Sequence, residues 1–143
     1  LLGNQAPGGS FEGLDFNRDH KGHLYRAALE GIAFSFVYGM QLMAADGVDL
    51  QRIRAGNDNL FRARPFAETI TTLTGASIEM VATTGAAGAA RAAAVAAGAF
   101  PDMGAATATD AVQLRYEPLS ESGPYREAYT DWKNKLETLL KTH

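Results

Sequence analysis

The chain has 143 residues, 13 basic and 16 acidic side chains, a formal net charge of −3 and no cysteine. That length suits one domain able to bury roughly two-thirds of its unfolded surface. Charges of both signs are interspersed without a basic run, which argues against nucleic acid as a partner, and the lack of cysteine excludes disulfides and thiolate metal sites.

No apolar run approaches the roughly 18 residues needed to cross a bilayer, and no charged-then-apolar leader opens the chain, so the sequence predicts a soluble cytoplasmic protein without a membrane partner. The opening from Leu1 to Ser10 reads as a loop already under way, which points to a piece of a longer protein. Phe11, Leu14 and Phe16 then alternate with Glu12 and Asp15, and Gly13 interrupts the pattern, so a short strand with a bulge is expected over 10–16.

From Asp19 to Ala45 the period lengthens. Tyr25, Leu29, Ile32, Phe36, Met40 and Met43 recur at steps of three and four and predict one apolar stripe on a long helix. Beside it run Ala28, Gly31, Ser35 and Gly39, small residues that predict a close neighbour, and Gly47 is placed to cap the helix end. His20 and His23 have a spacing that permits one shared metal, with Asp15 and Asp19 nearby, but a polar helix entry accounts for all four and no metal site is assigned. Arg26 and Glu30 fit an i,i+4 ion pair.

The most informative stretch follows. A strand over Arg52–Ala55 stops at Gly56 and passes directly into Asn57, Asp58 and Asn59, the pattern of a strand end opening on a ligand. Asp58 could serve as a base, although turn chemistry explains an Asp between two Asn equally; no nucleophile has a base beside it, and no catalytic residue is assigned. Pro65 opens a helix with Phe66, Ile70 and Leu73 on one face, weakened by Thr69, Thr71, Thr72 and Thr74 and stopped at Gly75.

A second unit of the same kind comes next: a strand over Ser77–Val81, the loop Ala82–Gly85, and an Ala-rich helix over 86–97. Thr83 and Thr84 can cap that helix. Its first turn, through Gly85 and Gly88, carries no bulky side chain, so its backbone N–H groups can face a phosphate or nucleoside; alternatively the helix is thin in order to pack tightly on a sheet. The spacing is not that of a P-loop or a dinucleotide fingerprint. Residues 100–123 suggest only a short helix near 105–112, and Tyr129, Trp132, Leu136 and Leu140 form the stripe of a terminal amphipathic helix over 125–142, followed by His143.

Taken together, the run His23-Leu24-Tyr25-Arg26-Ala27-Ala28-Leu29-Glu30-Gly31-Ile32-Ala33-Phe34, the Gly-Asn loop, the run Thr84-Gly85-Ala86-Ala87-Gly88-Ala89-Ala90 and the Tyr125-Arg126-Glu127-Ala128-Tyr129 helix resemble the C-terminal lobe of the FGGY carbohydrate kinases, in order and spacing over nearly the whole chain. The resemblance implies an actin-like α/β fold in which two ribonuclease-H-like lobes close on ATP, Mg and a sugar. Residues 1–143 would form the nucleotide-side lobe, lacking its first strands and the other lobe.

In that family a triple-glycine loop contacts adenosine. By position its role falls on Ala55, Gly56 and Asn57, with Asp58 and Asn59 beside them, and Asn59 offers the amide for the base. Thr84, Gly85 and Gly88 would support the pocket. Only Gly56 of the three glycines is present, and the loop to Phe66 is longer than usual.

The implied activity is ATP-dependent phosphorylation of a pentulose, D-xylulose to D-xylulose 5-phosphate, or of ribulose, glycerol or rhamnulose. Magnesium would be held mainly by ATP and the other lobe, the catalytic Asp and sugar ligands would also lie there, and this chain alone would be inactive. A homodimer is a further expectation. The competing class is a non-catalytic actin-like module for regulation or dimer contacts.

Overall fold

The structure is a computed structural model that describes residues 8–57 and 59–141. Its first helix, α1 (Lys21–Ala45), begins at a reciprocal histidine cap: His20 Nδ1 accepts the Gly22 N–H at 3.2 Å, and His23 Nδ1 accepts the His20 N–H at 3.4 Å. The two imidazoles stack with centroids 4.0 Å apart. Their ring nitrogens therefore serve the helix start. At the other end Gly47 takes φ of 88°, and the Gly47 and Val48 amides close on the Ala44 and Met43 carbonyls, a Schellman termination.

Helix α1 leads to strand β1 (Arg52–Gly56), then a 3-10 turn (Leu60–Arg62), helix α2 (Arg64–Thr74), strand β2 (Ser77–Val81), helix α3 (Gly85–Ala96), short helix α4 (Met103–Thr107), strand β3 (Val112–Tyr116) and helix α5 (Gly123–Lys141). The strand order is β1-β2-β3. β1 runs parallel to β2 with Ile53 opposite Ile78 and Gly56 opposite Val81, as a strand–helix–strand unit requires, whereas β3 pairs antiparallel to β2.

The core forms where α1, α2 and α5 meet over one sheet face. Ile78 and Met80 of β2 lie under Phe66, Ala67 and Ile70 of α2, and Ala33, Phe34 and Val37 of α1 join them with Tyr129 of α5. Phe34 is sandwiched into an aromatic group with Tyr129 and Trp132 at centroid distances of 5.6 and 5.8 Å. Arg26 makes its ion pair with Glu30 at 2.8 Å and also reaches the Tyr125 hydroxyl at 3.4 Å, joining α1 to α5.

The threonines of α2 do more than weaken a helix. Thr69 and Thr74 donate back to the Pro65 and Ile70 carbonyls, each at 2.7 Å, while Thr71 donates to Glu117 O at 3.3 Å and Thr72 accepts from the Leu119 N–H at 3.2 Å. Thr71 and Thr72, buried to 0% and 4% exposure, thus fasten the chain leaving β3 onto α2. Gly75 ends the helix with φ of 77°.

Several sequence expectations are corrected. Residues 10–16 form no strand: among the described residues no partner strand lies beside them, and the Asp15 carbonyl instead accepts the Arg18 and Asp19 amides in a turn. The fully buried side of α1 is Ala33, Phe34 and Val37; of the predicted stripe Leu29 and Met40 pack half-buried against the core whereas Tyr25 is 70% exposed, because α2 and α5 clasp the helix from two sides. A Cβ at Gly31 would meet nothing within 4 Å, so no close neighbour explains that glycine. Strand β3 was not expected at all. Finally, α1 is long and apolar enough by length and composition to cross a bilayer, contrary to the sequence reading; it packs against α2 and α5 along one side while Ile32, Phe36, Leu42 and Met43 stay exposed.

Thr72→Val keeps the shape but leaves the Leu119 amide without its acceptor, and is expected to lower stability by about 1–2 kcal/mol in urea denaturation; an unchanged midpoint would show that this bond carries nothing. Burial raises the Tyr129 hydroxyl above its ordinary range, and that hydroxyl donates to Gln41 Oε1 at 2.9 Å. A folded value above the unfolded one makes its contribution fully present below about pH 10 and lost as pH climbs through the folded value. Wild type is therefore expected to lose more stability than Tyr129→Phe between pH 9 and 11, and parallel curves would contradict this.

Candidate functional site

The parallel pairing of β1 and β2 brings their carboxyl ends level. Immediately beyond them, the Asn57 N–H donates to Val81 O at 3.2 Å and the Thr83 N–H donates to the same oxygen at 2.8 Å. One carbonyl therefore joins the two exit loops. This is the crevice position where α/β sheets take ligands.

On the β1 side, Ala55 is buried at 7% exposure with its methyl in the core, so only its backbone faces the exit. Gly56 is half-buried, and Asn57 and Asn59 are exposed. Asn57 Nδ2 donates to Gln113 Oε1 of β3 at 2.8 Å. Asn59 Oδ1 accepts the Phe61 N–H at 3.0 Å and caps the 3-10 turn, so its carbonyl is engaged in loop structure. Asp58 lies outside the described residues.

On the β2 side, Thr84 caps α3 by accepting the Ala87 N–H at 3.3 Å. The thin first turn is not there to hug a sheet: α3 has no buried residue, and a Cβ at Gly85 or Gly88 would meet nothing within 4 Å. Small residues leave the helix start open. Exposed N–H groups at a helix start favour an anion or a polar ligand edge.

Two charge clusters escaped the sequence reading. Arg91 of α3 makes a bidentate pair with Asp110, at 2.8 and 2.6 Å, and the same guanidinium donates to Thr83 Oγ1 at 2.9 Å. Glu79 of β2, 3% exposed, stands opposite Arg54 of β1 and Arg115 of β3 and pairs with both, with Arg52 3.9 Å away. Arg54 also donates to Thr107 O at 3.2 Å, drawing α4 over this face. The alternation of Val112, Leu114 and Tyr116 with Gln113 and Arg115 was the available signal for β3, and with β3 placed the register alone would have joined Arg115 to Glu79. Nothing in sequence marked Arg91 with Asp110.

Among the described residues no three His, Cys, Asp or Glu side chains come together as a metal site. The roomier concavities lie away from the strand exits: one of about 450 Å3 is lined by Glu12, Tyr38, Trp132 and Lys135, between the first described residues, α1 and α5.

Glu79→Gln removes the carboxylate that Arg54 and Arg115 share and is expected to cost about 1–2 kcal/mol, less than a fully buried pair because the arginines reach solvent. Denaturation of the variant checks it; equal stability would show that the arginines need no counter-charge.

Comparison with known proteins agrees with this geometry. Residues 3–97 match the FGGY family of carbohydrate kinases, C-terminal domain. No curated protein matches the chain. Among solved structures, xylulose kinase from Rhodospirillum rubrum superposes with a TM-score of 0.70 at 26% identity, over 91% of this chain and 27% of that one. The chain thus spans about a quarter of that kinase's length, and its mixed sheet and helices are those of the C-terminal lobe of the actin-like fold. The chain belongs to the FGGY family of carbohydrate kinases and carries its C-terminal domain.

Proposed function

We propose that this domain is the nucleotide-side lobe of an ATP-dependent kinase that phosphorylates a pentulose, D-xylulose to D-xylulose 5-phosphate. The observation that carries the reading is the pair of level strand exits joined at Val81 O, opening on a helix start free of bulky side chains. Likeness to a xylulose kinase supports that sugar over ribulose, glycerol or rhamnulose.

On this reading the backbone at Ala55, Gly56 and Asn57 receives adenosine, with Asp58 and Asn59 at its margin. Thr84, Gly85 and Gly88 keep the neighbouring helix start open. Magnesium enters with the ATP phosphates, whose charge it neutralises. Phosphoryl transfer depends chiefly on positioning and charge stabilisation, so the carboxylate that deprotonates the sugar hydroxyl and the groups that orient the sugar belong to a second lobe closing over this one. This domain alone then binds nucleotide weakly and transfers nothing. A cysteine-free chain fits work in the cytoplasm.

Titration of the 15N-labelled chain with a non-hydrolysable ATP analogue and Mg is expected to shift amides at Gly56, Asn57 and Thr83 to Gly88. Shifts confined to the opposite end of the sheet, or none, would contradict the kinase reading and favour a non-catalytic module. Gly85→Asp sharpens the test. An acid in the first helical turn favours the helix by about 0.3–1 kcal/mol, yet it sets a negative charge where the nucleotide approaches. Stability is expected to hold or rise while affinity falls several-fold; unchanged affinity would place the nucleotide elsewhere.

A further inference from the structure

The hydrogen bonds around the two exits form a closed circuit. Asn57 N–H and Thr83 N–H meet at Val81 O; Thr83 Oγ1 accepts from Arg91, Arg91 grips Asp110, and three residues later Gln113 accepts from Asn57. The segment entering β3 therefore holds both loops, one through each end of the circuit.

We infer that Arg91 and Asp110 are positioning residues that fix the β2–α3 loop at a set distance from the β1 exit, a role that rests on the nucleotide reading above. The Asp110 side chain is 7% exposed and that of Arg91 25%, so the pair is shielded from water on one side and its geometry is worth more than that of a surface ion pair. Arg91 is not itself a phosphate ligand, because its charge is already met by Asp110 through two parallel N–H···O bonds. Its remaining bond goes to Thr83, the residue before the α3 cap. Since α3 buries no residue of its own, this pair is the strongest side-chain anchor that the structure gives its first half. A plain fastening of α3 would need only the Arg91–Asp110 bond; the continuation through Thr83 to the shared carbonyl is what makes the pair control the opening.

The test compares wild type with Arg91→Lys, which keeps charge but loses the bidentate fork, and Asp110→Asn, which keeps the shape. Arg64→Ala, breaking an equally short ion pair within α2 that shares no hydrogen bond with the circuit, is the control. Folding of each variant is checked by its 15N spectrum and melting curve. Two readouts follow: amide hydrogen exchange, and affinity for ADP with Mg.

Arg91→Lys and Asp110→Asn are expected to speed exchange at Thr83 and, through Val81 O, at Asn57, and to weaken ADP binding about tenfold, while Arg64→Ala changes stability without either effect. Exchange at Asn57 that ignores both substitutions overturns the inference whatever the binding shows. So does faster exchange with wild-type affinity. If wild type itself shows no ADP response, the nucleotide reading fails, and the exchange readout alone then decides whether the circuit couples the loops.

Discussion

The parallel pairing of β1 with β2 is the constraint on which the rest of this domain depends. It can form only because α2 crosses back over the sheet between the two strands, and α2 can do so only because Phe66, Ala67 and Ile70 find Ile78 and Met80 beneath them. Register then follows. With Gly56 opposite Val81, two loops of unrelated sequence leave the sheet at one level and share one carbonyl. The opening between them is bordered by main chain, Gly56 on one strand and Val81 on the other.

The two faces of the sheet are built on different physics. One face is apolar and carries the core helices. The other holds Glu79 among Arg52, Arg54 and Arg115, with Arg54 reaching α4. A buried carboxylate is costly unless paired, and here both neighbouring strands supply the partner in register. The arrangement also discourages slippage of β3: a shift by one residue would turn Arg115 to the other face and leave Glu79 with one partner fewer. Threonine hydroxyls on α2 add a second fastening to the chain that leaves β3, so a strand with little buried area of its own is held by polar bonds at its start and its end.

Much of this was legible in the sequence. The change from helical to strand periodicity near residue 50, the stop at Gly56, the Pro65 start, the Gly75 stop and the Thr84 cap all rest on local rules, and β1, β2, α2, α3 and α5 lie where those rules put them. The unread parts are non-local. Phe36 and Met43 fit the apolar period of α1 as well as Phe34 and Val37 do; which set is buried is decided by where α2 and α5 cross, and periodicity carries no information about that. Residues 10–16 have a strand's pattern but, among the described residues, no neighbour to bond, and a pattern alone makes no ladder. The Asn59 carboxamide, expected to offer the base an amide, also caps the 3-10 turn through its oxygen, a use that only the loop's path reveals. The Arg91–Asp110 pair spans nineteen residues and a helix, beyond any spacing rule.

We propose that nucleotide enters where the two parallel strands end. The decisive experiment is a crystal structure of this domain grown with an ATP analogue and Mg. Adenosine is expected to rest on the backbone of Gly56 and Asn57, with its phosphates directed toward the Thr84–Gly88 helix start. An ordered nucleotide seated anywhere else on the domain, or the two loops closed against each other with nucleotide excluded, would contradict it.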